Sequence, residues 1–297
     1  MSSTTRAPHG YNWDAFSHVG KWERISKRKL LLRSVVIAPI RFGVFLLAIL
    51  FIVVLVVVVP QRWAHDVLLG LTKLICTVVG LRIDSVGRPV IGRAAPLIVC
   101  NHVGMIDVIV LLSLERISFL SDNAIRRFFI IGKAWGFVAD RIGCLFVSRD
   151  DASSRTSARA ALAARASEIV SGSIPNRLAL FPEGTTSNGT GILPFKLGAF
   201  EQGVPVQPVV LDYSRKEWGY CSVWSDVYFA YIMALPISTI RVTWLPVQSP
   251  SEGESVEEFS LRVRNIMLRS SSLEDYANHQ HPARSHNHIS LLLKRLG

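Results

Sequence analysis

Cys100-Asn101-His102-Val103-Gly104-Met105-Ile106-Asp107 follows directly on the apolar run Leu97-Ile98-Val99 and leads into a second apolar stretch at 106–114. A short unbroken apolar run reads as a strand buried on both faces. Asn101, His102 and Gly104 read as a turn, and the stretch beyond them as a helix. The same unit recurs down the chain. Strands are expected at 97–100, 117–120, 144–147, 178–181, 206–211 and 240–245, with helical stretches at 106–114, 124–138, 153–170 and 196–202 between them. This alternation predicts an α/β domain, a mostly parallel sheet flanked by helices. Ser153 or Ser154 suits the start of the helix over 153–170 and Gly172 its end, while 254–269 reads as a terminal amphipathic helix.

The first stretch also carries chemistry. Histidine moves protons near neutral pH, and a carboxylate can hold its other nitrogen and stabilise the imidazolium. On one continuous helix, residues five apart diverge by about 140°. His102 and Asp107 therefore meet only if His102 lies on the strand-to-helix turn and Asp107 in the first helical turn. The same residues also suit a satisfied loop histidine beside a capping aspartate.

Two further strands end in polar groups. After 178–181 comes Pro182-Glu183-Gly184-Thr185-Thr186-Ser187-Asn188-Gly189. Glu183 can hold a substrate hydroxyl or a cation, and Gly184, Thr185 and Thr186 offer donors to an anion. Alternatively this is a polar turn. The sequon Asn188-Gly189-Thr190 is read as a chance match. Gly143-Cys144-Leu145-Phe146-Val147-Ser148-Arg149 is a strand ending in an arginine suited to clamp a phosphate. Gly203-Val204-Pro205-Val206-Gln207-Pro208-Val209 reads as an edge or the start of a strand.

Composition points to a membrane. Of 297 residues, 49% are hydrophobic and 19% charged, with a mean hydropathy of +0.33. Residues 42–59 form an 18-residue run without a charge, which excludes an ordinary soluble cytosolic enzyme. As a helix it would be ~27 Å long, close to the ~30 Å hydrocarbon thickness, and Pro60, Arg62 and Trp63 form an interfacial stop. The stretch 67–81, broken by Lys73 and Gly80, suits an interfacial helix, the second arm of a re-entrant hairpin or a buried helix. A single crossing and a hairpin both fit.

The net charge is +11. Lys21, Arg24, Lys27, Arg28, Lys29, Arg33 and Arg41 precede or open the apolar run, a pattern drawn to anionic headgroups on the cytoplasmic side. Without a nucleic-acid motif, no nucleic-acid partner is expected. Cys76, Cys100, Cys144 and Cys221 lie far apart in apolar contexts and read as reduced, buried thiols. The apolar run begins too far in for a cleaved signal peptide. His279, His281, His286 and His288 read as a solvated tail, with no metal site expected. The organisation is a polar and basic segment at 1–34, a membrane-embedded region at 35–81, a catalytic domain at 82–276 and the tail at 277–297.

In this order the blocks resemble the signature of the glycerolipid acyltransferases: N-H-x4-D at Asn101–Asp107, G-x-[IVL]-F-[IV]-x-R at Gly143–Arg149, F-P-E-G-T at Phe181–Thr185, and an apolar stretch at Val204–Val209 containing Pro208. Thr185–Gly189, Phe195–Phe200, Pro208–Leu211, Val223–Asp226 and Leu245–Glu252 look like the lysophosphatidylcholine and lysophosphatidylethanolamine branch. The resemblance covers roughly 90–276. It implies acyl transfer from acyl-CoA, a co-substrate, to the free hydroxyl of a lysophospholipid, without a cofactor. His102 would be the general base, Asp107 its orienting partner, Arg149 a phosphate ligand, and Glu183, Gly184 and Thr185 acceptor-positioning groups. Pro208 falls in the fourth block and Lys133 is a weaker phosphate candidate. Lysophosphatidic acid and glycerol 3-phosphate acyltransferases share all four blocks and are the alternative within the enzyme class; a non-catalytic membrane adaptor is the alternative outside it. No D-x-[DN]-x-[DN]-G loop is present, so the calcium-binding region of some relatives is not expected. The resemblance implies an endoplasmic reticulum membrane, with the site facing the cytosol.

Overall fold

The computed structural model of the chain describes residues 32–90, 92–122, 136–147, 152–214 and 232–277. Arg149, Lys133, Cys221, the basic residues at 21–29, residues 223–226, the His-rich tail and most of the helix expected at 124–138 lie outside the described residues.

One π-helical turn, Arg33–Ile37, leads into α1 (Ala38–Val58). The 21 residues of α1 rise about 31 Å. Val59 turns extended ahead of Pro60, the conformation a following proline favours. Residues 33–55 have a mean hydropathy of 2.6 and form the one helix among the described residues long and apolar enough to cross a membrane. After a 3-10 turn at Gln61–Trp63 comes α2 (Ala64–Val79), which ends at Gly80 with φ +82°. Leu68, Thr72, Ile75, Cys76 and Val79 form its buried stripe. The expected second apolar stretch is thus a helix of the globular domain, with α1 packed beside it.

Both ends of α1 are tied to the domain. Arg33 donates through Nε and Nη2 to the carbonyls of Ala234 and Leu235, each at 2.7 Å. Arg41 Nη1 donates to Leu235 O at 2.7 Å and Met233 O at 3.1 Å. At the far end Arg141 Nη2 donates to Val59 O. Between these anchors Leu47, Leu50, Phe51, Val54, Val57 and Val58 face outward, uncovered.

The domain proper runs β1 (Leu81–Val86), β2 (Leu97–Cys100), α3 (Ile106–Leu112), β3 (Ile117–Asp122), β4 (Leu145–Val147), α4 (Ala152–Ser171), β5 (Arg177–Leu180), β6 (Gly191–Ile192), β7 (Val206–Tyr213), β8 (Ser238–Trp244), α5 (Val256–Arg269) and β9 (Glu274–Asp275). Strands β1-β8-β7-β2-β5-β3-β4 form one sheet; β6 and β9 form a small second one. Every pairing in the large sheet is parallel except β7 with β8. The α/β domain expected from alternation is therefore present. Strand β1, with Arg82, Asp84 and Ser85, lacked an apolar run to announce it.

Side chains alternate across the sheet. Ile98 and Cys100 pack with α2 and α3 on one face, while Leu97 and Val99 meet α4 and α5 on the other. Helix α5 is fixed by a capping box, Ser255 Oγ accepting from Glu258 N at 3.2 Å and Glu258 Oε2 accepting from Ser255 N at 2.8 Å. Its stripe of Phe259, Val263 and Met267 is buried. Of the two readings of 203–209, edge or start of a strand, the second holds: β7 begins at Val206 and lies inside the sheet, between β8 and β2. Pro208 is buried beside Val99, and its carbonyl accepts from Leu245 N at 3.0 Å.

Candidate active site

The site forms at the C-terminal ends of β2, β5 and β7. Asn101 extends the β2–β7 pairing past the end of the strand. Its Nδ2 donates to Leu211 O at 2.9 Å and its Oδ1 accepts from Leu211 N at 2.8 Å. His102 lies on the turn and Asp107 is the second residue of α3, the arrangement their spacing requires.

His102 Nδ1 is 2.8 Å from Asp107 Oδ2. A carboxylate can only accept, so Nδ1 carries the hydrogen, and in the neutral ring Nε2 is then the nitrogen with the lone pair. Asp107 Oδ2 also accepts from Val103 N at 2.6 Å and Gly104 N at 2.9 Å, and Oδ1 from Tyr213 OH at 2.6 Å. Four donors converge on one fully buried carboxylate. The imidazole stacks on Phe181 with centroids 4.0 Å apart and rings 15° from parallel, and Phe119 stacks beyond Phe181 at 6.1 Å. The His102 side chain is 21% exposed, and no described residue bonds Nε2. An imidazole oriented by a hydrogen bond and stacked on an aromatic ring thus keeps Nε2 without a bond from any described residue.

Glu183 has a different position from the one its motif suggested. It is wholly buried, Oε1 accepting from His102 N at 2.7 Å and Oε2 from Leu193 N at 3.1 Å. Both oxygens are engaged by backbone, so in this arrangement the carboxyl joins two loops instead of reaching a substrate hydroxyl. Burial pushes its pKa up to about 8, against the pull of those two N–H groups. Gly184, at φ +68°, uses its N–H in a turn to Phe181 O at 3.0 Å; the expected donation to a bound anion is not available from that group. Thr185 sits half-buried in the same turn, its hydroxyl 3.5 Å from Thr186 O.

The loop continues against the histidine. Ser187 N donates to His102 O at 2.9 Å. At Gly189, φ is +71° and a Cβ would come within 2.8 Å of Val103 Cγ1, so glycine is required for the loop to lie this close. Asn188 is buried and its Oδ1 accepts from Thr190 N at 3.0 Å and Thr190 Oγ1 at 2.7 Å. The sequon is thus part of a packed turn, as its position suggested.

Two site-supporting residues were not singled out from sequence. Tyr213 ends β7, and its place at the C-terminal end of an apolar strand was its one local signal. Arg264 projects from α5 to the carbonyls of Leu193 and Ile192; it had no signal beyond being a charge on an amphipathic helix.

A strand-end His–Asp pair on a largely parallel sheet defines the class. The Acyltransferase family model matches residues 83–212, so the chain carries an acyltransferase-family region there. Among its relatives, the lysophospholipid acyltransferase LPCAT4 of Homo sapiens is 30% identical over 284 residues, covering 86% of this chain and 52% of that protein. Lysophosphatidylcholine acyltransferase 2 of Rattus norvegicus is 29% identical over 261 residues, 80% of this chain and 47% of that protein. Lysophospholipid acyltransferase LPEAT1 of Arabidopsis thaliana is 28% identical over 183 residues, 59% and 44% respectively. The chain spans about half the length of these curated relatives. In fold it is similar to the 1-acyl-sn-glycerophosphate acyltransferase PlsC of Thermotoga maritima, with a TM-score of 0.58 and 17% identity over 81% of this chain and 95% of that one. Tyr213 and Arg264 both fall outside the span of the family model.

Proposed function

We propose that this chain transfers an acyl group from acyl-CoA to the free hydroxyl of a lysophospholipid, with lysophosphatidylcholine or lysophosphatidylethanolamine as the favoured acceptor. The observation that carries the reading is the His102–Asp107 pair at the end of β2, with the imidazole 21% exposed and Nε2 bonded by no described residue. The named relatives support the acceptor class. In this reaction Nε2 takes the proton of the acceptor hydroxyl as its oxygen attacks the thioester carbonyl. The tetrahedral intermediate collapses by breaking the carbon–sulfur bond. The imidazolium returns its proton to the departing thiolate, leaving diacyl phospholipid and free CoA. Asp107 holds the required tautomer and stabilises the imidazolium. The chemistry asks for no cofactor. Arg149, outside the described residues, is assigned the acceptor phosphate on its motif alone.

The setting is a membrane, because the acceptor is a lipid. A helix bonded at both ends to one domain lies along that domain. This supports a one-sided hairpin of α1 and α2, with the uncovered apolar face of α1 in lipid and the apolar stripe of α2 kept against the domain. With a cytosolic acyl-CoA donor and basic residues ahead of α1, the site faces the cytosol, on endoplasmic reticulum membrane.

The test uses purified protein in membranes with labelled oleoyl-CoA and lysophosphatidylcholine, lysophosphatidylethanolamine, lysophosphatidate or glycerol 3-phosphate. Labelled diacyl product from the first two, reduced ~10²–10⁴-fold in His102→Ala, is expected. Product from lysophosphatidate or glycerol 3-phosphate alone would move the acceptor to that class. No product from folded wild type would overturn the reading.

A further inference from the structure

Behind the buried Glu183 carboxyl lies the guanidinium of Arg264. Arg264 is 3% exposed and reaches the same peptide segment that Glu183 holds. Its Nε donates to Leu193 O at 2.9 Å, and its Nη2 donates to Ile192 O at 2.6 Å and to Asp275 Oδ1 at 2.5 Å. The Ile192-Leu193 backbone is therefore held from both sides, its N–H by Glu183 and its carbonyls by Arg264. From the other Glu183 oxygen the chain of contacts passes to the backbone N–H of His102.

We propose that Arg264 is a positioning residue of the acyltransferase site, acting through Leu193 and Glu183 to fix the turn that carries His102. This rests on the acyl-transfer reading for its kinetic consequence, but the contacts are independent of it. Other charges face Glu183 as well. Asp107 opposes a negative charge there while Arg264 favours it, the Cys100 thiol lies near both carboxylates, and the Lys196 side chain lies over the adjacent Gly184. Arg264 combines charge with a grip on the segment. Without the guanidinium the Ile192 and Leu193 carbonyls lose their donor, so the segment whose N–H Glu183 accepts is no longer held from behind, and the Glu183 oxygens no longer meet the His102 and Leu193 N–H groups in one fixed geometry. The loops at 102–104 and 183–193 then lose their common anchor. Such a dependence brings α5 and the small β6–β9 sheet into the active site's support, although α5 and β9 lie beyond the span of the family model.

The experiment compares wild type with Arg264→Met, Arg264→Lys, Glu183→Gln and the double variant Arg264→Met/Glu183→Gln, full length, in detergent micelles. Hydrogen exchange read by mass spectrometry is expected to rise in Arg264→Met over 101–107 and 183–193, with α5 still protected. In the acyl-transfer assay kcat is expected to fall roughly 5- to 100-fold, with the KM for acyl-CoA held and Arg264→Lys partly restoring kcat. If Arg264 acts through Glu183, its removal costs far less in the Glu183→Gln background. Additive losses, or faster exchange spread over α5 with the site loops unchanged, would overturn the proposal. Faster exchange at the site loops in a protein with no acyl transfer would instead sustain the positioning role and overturn the acyl-transfer reading.

Discussion

The phenol of Tyr213 donates to Asp107 Oδ1 at 2.6 Å, joining the end of β7 to the first turn of α3 across 106 positions of sequence. It is the side-chain hydroxyl among the donors that fix the orienting carboxylate. Tyr213→Phe removes that hydrogen bond and little volume. A lost hydrogen bond to a charged group costs about 1.5–3 kcal/mol, so kcat should drop roughly 10- to 100-fold while the KM for acyl-CoA stays near wild type. Steady-state acyl transfer in micelles measures both, and an unchanged kcat would remove Tyr213 from the site's support.

Glu183 makes stability depend on pH. Burial raises its carboxyl from 4.5 to about 8, so the folded chain keeps a proton that the unfolded chain releases near pH 4.5. The stability contributed this way is complete below pH 4.5 and is lost as pH climbs through 8. Thermal unfolding from pH 4.5 to 9 should show a decline in wild type that flattens in Glu183→Gln, whose amide does not titrate. The Gln variant should also be less stable throughout, because its NH2 faces one of two backbone donors. Parallel pH curves for the two proteins would rule out Glu183 as the source.

Burial pushes the Cys144 thiol up to about 12 and the Cys100 thiol well above its ordinary value. Thiolate is the reactive form. Both cysteines should stay unmodified by a maleimide at pH 8 while the protein is folded, and react once denaturant is added. Peptide mass spectrometry resolves each site, and rapid native labelling at Cys100 would contradict the packing described for β2.

The two ends of α1 offer a test of topology. Cysteines placed at Leu32 and at Glu252, one before α1 and one on the acyltransferase domain, should be labelled by a membrane-impermeant reagent from the same side of sealed vesicles. Labelling from opposite faces would mean that α1 crosses the bilayer and would exclude the one-sided hairpin.

The α/β class, six strands of the main sheet and the His102–Asp107 encounter were legible in the sequence because they are local. An unbroken apolar run, a turn with Gly104 and a five-residue spacing are enough to bring an imidazole and a carboxylate together. Pro208 shows the limit of such rules. Together with Pro205 it suggests an edge or the start of a strand; the start is where β7 begins, but its interior place depends on which chain segments pack side by side. Strand β1 had no apolar signature; its pairing with β8 defines it. Glu183 read as a group facing substrate, and only packing placed the N–H groups of His102 and Leu193 against its two oxygens. Tyr213 and Arg264 came from distant β7 and α5, and no periodicity reports which buried polar atom a remote side chain will satisfy. The apolar run likewise determined that α1 is a helix long and apolar enough to cross a membrane. Whether it lies along the domain was decided by Arg33, Arg41 and Arg141 meeting carbonyls at its two ends. Local pattern sets which groups are present and the turn they share. Tertiary structure decides partners, because burial leaves every polar group needing one and only the folded chain determines which is within reach.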